Sequence, residues 1–90
     1  MTDEDILKIL KIDLQISVDT YDDYLRNMIC LAKEAISDEG IQLMESERDG
    51  MLVEIYAAYL YRKRKTEKTQ MPRMLRYMLN NRLLRQKAGG

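Results

Sequence analysis

Ninety residues, with fifteen Lys plus Arg, fifteen Asp plus Glu and a formal net charge of zero, bound the chain to one small domain covering 1–90. A chain this short buries only roughly 60–65% of its extended surface on folding, which makes a lone monomer marginal; a 46% hydrophobic and 33% charged composition still fits a folded, highly charged protein rather than a disordered one. With no His and one Cys, the chain lacks imidazole catalysis, an internal disulfide and a Cys-rich zinc site, so no enzyme, cofactor or metal is expected.

The opening MTDEDILK is acidic where a secretory signal would be basic. The longest nearly apolar stretch, Met51 to Tyr61, contains Glu54 and is far short of the ~20 residues that span a bilayer. A reducing cytoplasm is therefore expected, with no membrane association and with Cys30 a buried thiol.

Four helices follow in chain order, and the fold expected is all-α. Thr2 and Asp5 have the spacing of a capping box, opening a helix over about 3–11 with Ile6, Leu7, Ile9 and Leu10 on its apolar face. Ile12 to Ile16 alternates apolar and polar residues and reads as an extended connector. The second helix, about 19–39, places Tyr21, Tyr24, Leu25, Met28, Leu31, Ala32, Ala35 and Ile36 at helical spacing. Asp19, Asp22 and Asp23 suit its first turn, Asp22 can pair with Arg26, and Gly40 suits the left-handed position that ends it. Ile41 and Leu43 should tuck against the core from the following loop.

The third helix, about 47–66, is apolar nearly all round from Met51 to Tyr61. Such a helix must be covered on more than one side, either as the central element or by facing a second subunit. Gly50 near its start costs about 1 kcal/mol against Ala, which leaves a boundary after it as the alternative. Of Tyr56, Tyr59 and Tyr61, at least two should belong to the core. Pro72 opens the fourth helix, about 72–87, at its first helical position; Met74, Leu75, Met78, Leu79 and Leu83 form its expected buried stripe, and Lys87 to Gly90 a frayed tail. Helices two and three form the expected antiparallel centre.

Neutrality hides a polarised chain. Residues 1–50 carry thirteen acids and five bases, whereas residues 51–90 carry two acids and ten bases. Part of this follows from helix dipoles, which favour acids in first turns and Arg62, Lys63, Arg64 and Lys65 in the last turn of helix three. A sharper reading is one acidic and one basic face on the same molecule, which would bind copies head to tail into rings or filaments. A third reading is nucleic-acid binding by the basic half, as in a small helical DNA-binding or phage-regulatory protein. Against that third reading, the acidic half repels phosphate and no tight Gly turn joins two short helices.

Four segments resemble those of a known family. They are the opening helix running into Leu10-Lys11-Ile12-Asp13-Leu14-Gln15-Ile16 and the acidic cap Asp19-Thr20-Tyr21-Asp22-Asp23; the helix from Tyr24 to Ile36; the apolar-to-basic helix ending Tyr59-Leu60-Tyr61-Arg62-Lys63-Arg64; and the Pro-opened segment Met71 to Arg82. Together they span nearly the whole chain and resemble the head–tail connector (head-completion, or adaptor) proteins of long-tailed bacteriophages and prophages.

The resemblance implies a structural virion protein at the head–tail junction, assembled in the bacterial host cytoplasm. It would form a head-to-tail ring, dodecameric on the portal, that extends the DNA channel and receives the stopper or tail-completion protein. DNA would pass through without specific binding, because a strongly basic lumen would hold phosphate and stall it. The implied partner-binding residues are Arg62, Lys63, Arg64, Lys65, Arg73, Arg76, Arg82 and Arg85, with Asp19, Asp22, Asp23, Asp38 and Glu39 as the acidic counter-surface. Arg suits such contacts through its rigid bidentate fork.

Overall fold

The computed structural model describes residues 1–66 and 68–89. Glu67, in the link between the last two helices, and Gly90, in the expected tail, lie outside the described residues. Four helices follow one another along the chain: α1 (Asp3–Asp13), α2 (Asp22–Asp38), α3 (Glu47–Lys65) and α4 (Arg73–Ala88).

Thr2 opens α1 as its sequence predicts. The Asp5 amide donates to Thr2 Oγ1 at 3.2 Å and the Thr2 amide donates back to Asp5 Oδ2 at 3.1 Å, satisfying two orphan donors reciprocally. The Thr2 N–H holds the Asp5 carboxyl below its usual value. The helix continues past Lys11 to Asp13, so the first part of the expected connector is helical. Its ending explains the difference. Gln15 adopts φ +59°, its amide donates to the Ile12 carbonyl at 3.1 Å, and the Ile16 amide donates to the Lys11 carbonyl at 2.9 Å. These are the two bonds of a Schellman motif, with Gln in the left-handed position where Gly is usual. No glycine marks the stop.

α2 starts at Asp22 rather than Asp19. Asp19 caps nothing: its carboxylate accepts from Lys11 Nζ at 2.8 Å, and Asp22 Oδ1 lies 2.8 Å from the same ammonium, so the two acids clip the α1–α2 corner. Arg26 accordingly pairs with Glu4 of α1 and Asp23, at 3.0 and 2.9 Å, instead of Asp22. The expected apolar stripe also shifts. Ile29 joins Leu25, Met28, Ala32 and Ile36 in the core, whereas Tyr21, Leu31 and Cys30 are exposed. The helix ends as expected, with Gly40 at φ +95° and Ile41 buried directly after it.

α3 is the central element. α2 packs on it most extensively, and α1 and α4 cover further sides, so most of its apolar circumference is enclosed within the chain and Met51 is left exposed. α2 and α3 are antiparallel, because Tyr24 at the start of α2 meets Tyr61 at the end of α3 edge to face at 6.1 Å. Tyr56 and Tyr59 are buried and Tyr61 is half-buried, as the sequence suggests. Ser46 caps the helix by accepting from the Asp49 amide at 3.1 Å, so α3 begins at Glu47, where the sequence places it, and keeps Gly50 inside its opening turn. The reason lies in packing: a Cβ on Gly50 would stand 2.5 Å from Met1 Sδ, and the chain's first residue occupies the space a side chain would need.

Pro72 is the N-cap of α4, one position earlier than predicted, and Arg73 is the first helical residue. Leu75 and Leu79 are fully buried and supply the apolar anchor, each contributing roughly 1.5–3 kcal/mol of burial. Met78 and Leu83 pack partly against the core, but Met74 points to solvent at 65% exposure. Lys87 and Ala88 continue the helix rather than fray. The rest of the attachment is polar. Gln86 donates to the Gly40 carbonyl at 2.9 Å and accepts from the Gln42 amide at 2.7 Å, closing α4 onto the α2–α3 loop.

Candidate interaction surfaces

The fold brings the acidic first half and the basic second half together, and several of the predicted contact residues meet each other inside the chain. Arg82 reaches down from α4 to Asp49 in the first turn of α3, donating from Nε at 2.7 Å and from Nη2 at 3.0 Å. Its Nη2 also donates to the Gln42 carbonyl at 2.7 Å, and the Met44 amide donates to Asp49 Oδ2 at 2.8 Å. Asp49 is 2% exposed. Burial pushes its carboxyl up, but the Arg82 bond, the Met44 N–H and the charges of Arg82 and Arg85 outweigh this and leave it below the usual value. This bidentate, buried pair ties α3, α4 and the loop between α2 and α3 into one unit.

Arg76 makes a second such fork, to Glu39 at 2.7 and 2.9 Å, and Arg62 makes a longer one-point contact to Asp13 at 3.4 Å. Among the predicted contact residues, then, Arg76 and Arg82 act as latches between α4 and the α2–α3 centre, and Glu39 is the receiving group for one of them. Asp19 and Asp22 hold Lys11, and Asp23 holds Arg26. Part of the charge asymmetry read from the sequence is thus glue between the two halves of one chain.

The remaining candidates lie at two places. Lys63, Arg64 and Lys65, exposed at the end of α3, lie over the rings of Tyr59, Tyr24 and Tyr61 at 5.7, 5.5 and 4.8 Å. The rings hold the three cations close to the surface, each contact contributing about 0.5–1 kcal/mol at such exposed sites. Arg73 and Arg85 are exposed on α4, and Asp38 is exposed at the end of α2.

Two features escape the sequence reading. The first is a row of exposed apolar residues on the outer side of α4: Met74 at 65%, Tyr77 at 68% and Leu84 at 64%. The spacing of these residues was legible, but both flanks of α4 carry apolar side chains and only the latches show which flank turns inward. The second is Glu54, in the middle of α3 and 3% exposed. Its Oε2 has no partner while the group is ionised, and the Asp13 carboxylate of α1 lies beside it. Burial first, and then the neighbouring Asp13, push the Glu54 carboxyl up from 4.5 to about 8, against the opposing charge of Arg62. Protonated at neutral pH, Oε2 becomes a donor and Asp13 its acceptor, which removes the orphaned atom.

A cleft of about 720 Å3 opens beside the chain's N-terminus, lined by residues that include Met1, Lys33, Met44 and Gly50. Of its carboxylates, Asp3 is engaged by Lys33 and Asp49 by Arg82. Among the described residues there is no group of three or more side chains arranged to hold a metal ion, and no helix is long and apolar enough to cross a membrane. No protein-family model, curated protein or solved structure matches this chain.

Proposed function

We propose that this protein is a head–tail connector, a structural ring subunit that joins the DNA-filled head to the stopper and tail beneath the portal. The observation that carries this reading is the uncovered apolar row on α4. It lies partly within the Met71–Arg82 segment, one of the four that resemble the connector family. A domain whose central helix is largely enclosed, yet which leaves Met74, Tyr77 and Leu84 in water, is suited to being covered by another protein. The aromatic-backed cations Lys63, Arg64 and Lys65 supply a second, charged contact, suited to an acidic surface of the portal.

Co-sedimentation with portal-bearing capsids tests this. The wild-type chain should sediment with the capsids, and the Lys63→Glu/Arg64→Glu variant should lose most of that attachment with its helicity intact. Full attachment of the variant would contradict the assignment of these two residues. The same cations favour a second reading, a small DNA-binding regulator, because stacked Lys, Arg and Tyr side chains are also a footprint for phosphate and bases. Retention on duplex DNA that collapses with added salt, without binding to portal, would decide for it.

A further inference from the structure

A second cavity, of about 310 Å3, lies where the first turns of α3 meet the latter part of α4. Arg48, Asp49 and Leu52 line it from α3, and Met78, Arg82 and Arg85 line it from α4. Helical spacing explains the meeting: residues 48 and 52 are one turn apart on α3, and 78, 82 and 85 follow one another along one side of α4. Leu52 is buried and Met78 half-buried, so together they make an apolar floor. The walls carry three arginines and one aspartate.

The aspartate is already spent. Asp49 Oδ1 accepts from Arg82 Nε at 2.7 Å, and Oδ2 accepts from Arg82 Nη2 at 3.0 Å and from the Met44 amide at 2.8 Å. Arg82 Nη1 makes a contact of 3.4 Å to Gln86 Oε1 and keeps a donor to spare. Arg48 and Arg85 are exposed, and neither pairs with an acid among the described residues, whereas Arg26, Arg62, Arg76 and Arg82 each do. Glu45 and Glu47 precede Arg48 in the chain, but both are exposed and neither lines the cavity. Two positive charges therefore converge on one apolar-floored cavity with no anion of the chain to meet them.

We propose that this cavity binds the terminal phosphate of a phosphate monoester, with Arg48 and Arg85 closing on its oxygens, Arg82 Nη1 adding a further donor, and Leu52 and Met78 receiving the first carbons of the ester. A carboxylate is the poorer match, because one guanidinium fork saturates it, as Arg82 does Asp49. A monoester phosphate offers three acceptor oxygens and about two negative charges at neutral pH, which is what two unpaired arginines require. The volume lies at the lower end of ligand pockets and suits a small group rather than a large cofactor. The phosphate can come from a small free ester or from the 5′ end of a nucleic-acid strand. This site goes beyond the connector reading, since it uses neither the outer row of α4 nor the cations at the end of α3, and it is tested on the chain alone.

Amide NMR titration with phenyl phosphate, up to about 10 mM, tests it. Saturable shifts should centre on residues 48–52 and 78–85. Benzoate and methyl phenyl phosphate, which carry one charge each, should bind about tenfold more weakly. Arg48→Gln and Arg85→Gln should each weaken phenyl phosphate about tenfold with unchanged thermal melting, and Arg73→Gln, an exposed base outside the cavity, should leave binding unchanged. Titration with one oligonucleotide, with and without its 5′ phosphate, separates the two sources: tighter binding of the phosphorylated strand than of phenyl phosphate supports the site as one for a strand end, and the reverse supports it as one for a free ester. Absence of saturable shifts would overturn the proposal. So would binding unaffected by Arg48→Gln and Arg85→Gln, an equal loss in Arg73→Gln, a diester bound as tightly as the monoester, or a strand bound regardless of its 5′ phosphate.

Discussion

Glu54→Gln should stabilise this protein in a pH-dependent way. Glu54 sits in the central helix, 3% exposed and next to Asp13, with its carboxyl raised from 4.5 to about 8. The folded chain therefore keeps a proton that the unfolded chain releases. A group bound more tightly in the folded state contributes its full stability below the unfolded value, about pH 4.5, and loses that contribution as the pH climbs toward 8. Each pH unit in that window costs about 1.4 kcal/mol, so at pH 7 the wild type gives up at most about 3 kcal/mol. Gln is neutral at every pH and keeps an N–H donor for Asp13, so the variant avoids this loss. The two proteins should melt alike near pH 4.5 and diverge steadily to pH 8. At pH 7 the variant should melt about 5 °C or more above the wild type, since 1 kcal/mol moves a domain of this size by roughly 4–8 °C. Circular-dichroism melts at half-unit pH intervals are sufficient. Parallel curves for the two proteins, or a variant less stable than the wild type at pH 7, would refute the shared-proton reading.

Other substitutions separate latches from surface. Arg82→Ala leaves the Asp49 carboxylate buried without its partner and should cost roughly 3–5 kcal/mol, a large part of the stability of so small a domain, as read from urea midpoints; a cost below 1 kcal/mol would mean that the pair is solvated in solution. Gly40→Ala puts a Cβ on a residue at φ +95° and should destabilise by about 1 kcal/mol or more in the same assay, although the nearest side-chain atom is a tolerable 3.8 Å away; a neutral result would contradict the left-handed C-terminus of α2. Cys30, exposed on α2, should react with a small maleimide in the folded protein as fast as in urea, and a protected thiol would contradict its outward placement.

The helices were legible because their signals are local. Thr2 with Asp5, the loaded first turns, Gly40 and Pro72 each mark an end within one or two turns of chain, and the apolar spacing fixed the faces of α1 and most of α2. What escaped depended on partners distant in sequence. Gln15 ends α1 in a conformation usually given to glycine, and only the Ile16 amide on the Lys11 carbonyl reveals it. Asp19 looks like a helix-capping acid until Lys11 claims it. Arg76 and Arg82 read as surface charges because their acidic partners lie 37 and 33 residues away. Met74 and Leu75 are adjacent and both apolar, and the pair of latches decides which of them is buried. The cations of α3 were placed correctly at its end, but the tyrosine rings beneath them come from two different helices.

The connector reading is tested most directly by the mass of the protein in solution with and without purified portal protein, followed by light scattering over a wide concentration range. The account predicts concentration-dependent association of the chain alone and formation of a closed ring on the portal. A chain that ignores portal at every concentration, and is instead retained on duplex DNA at low salt, would contradict it.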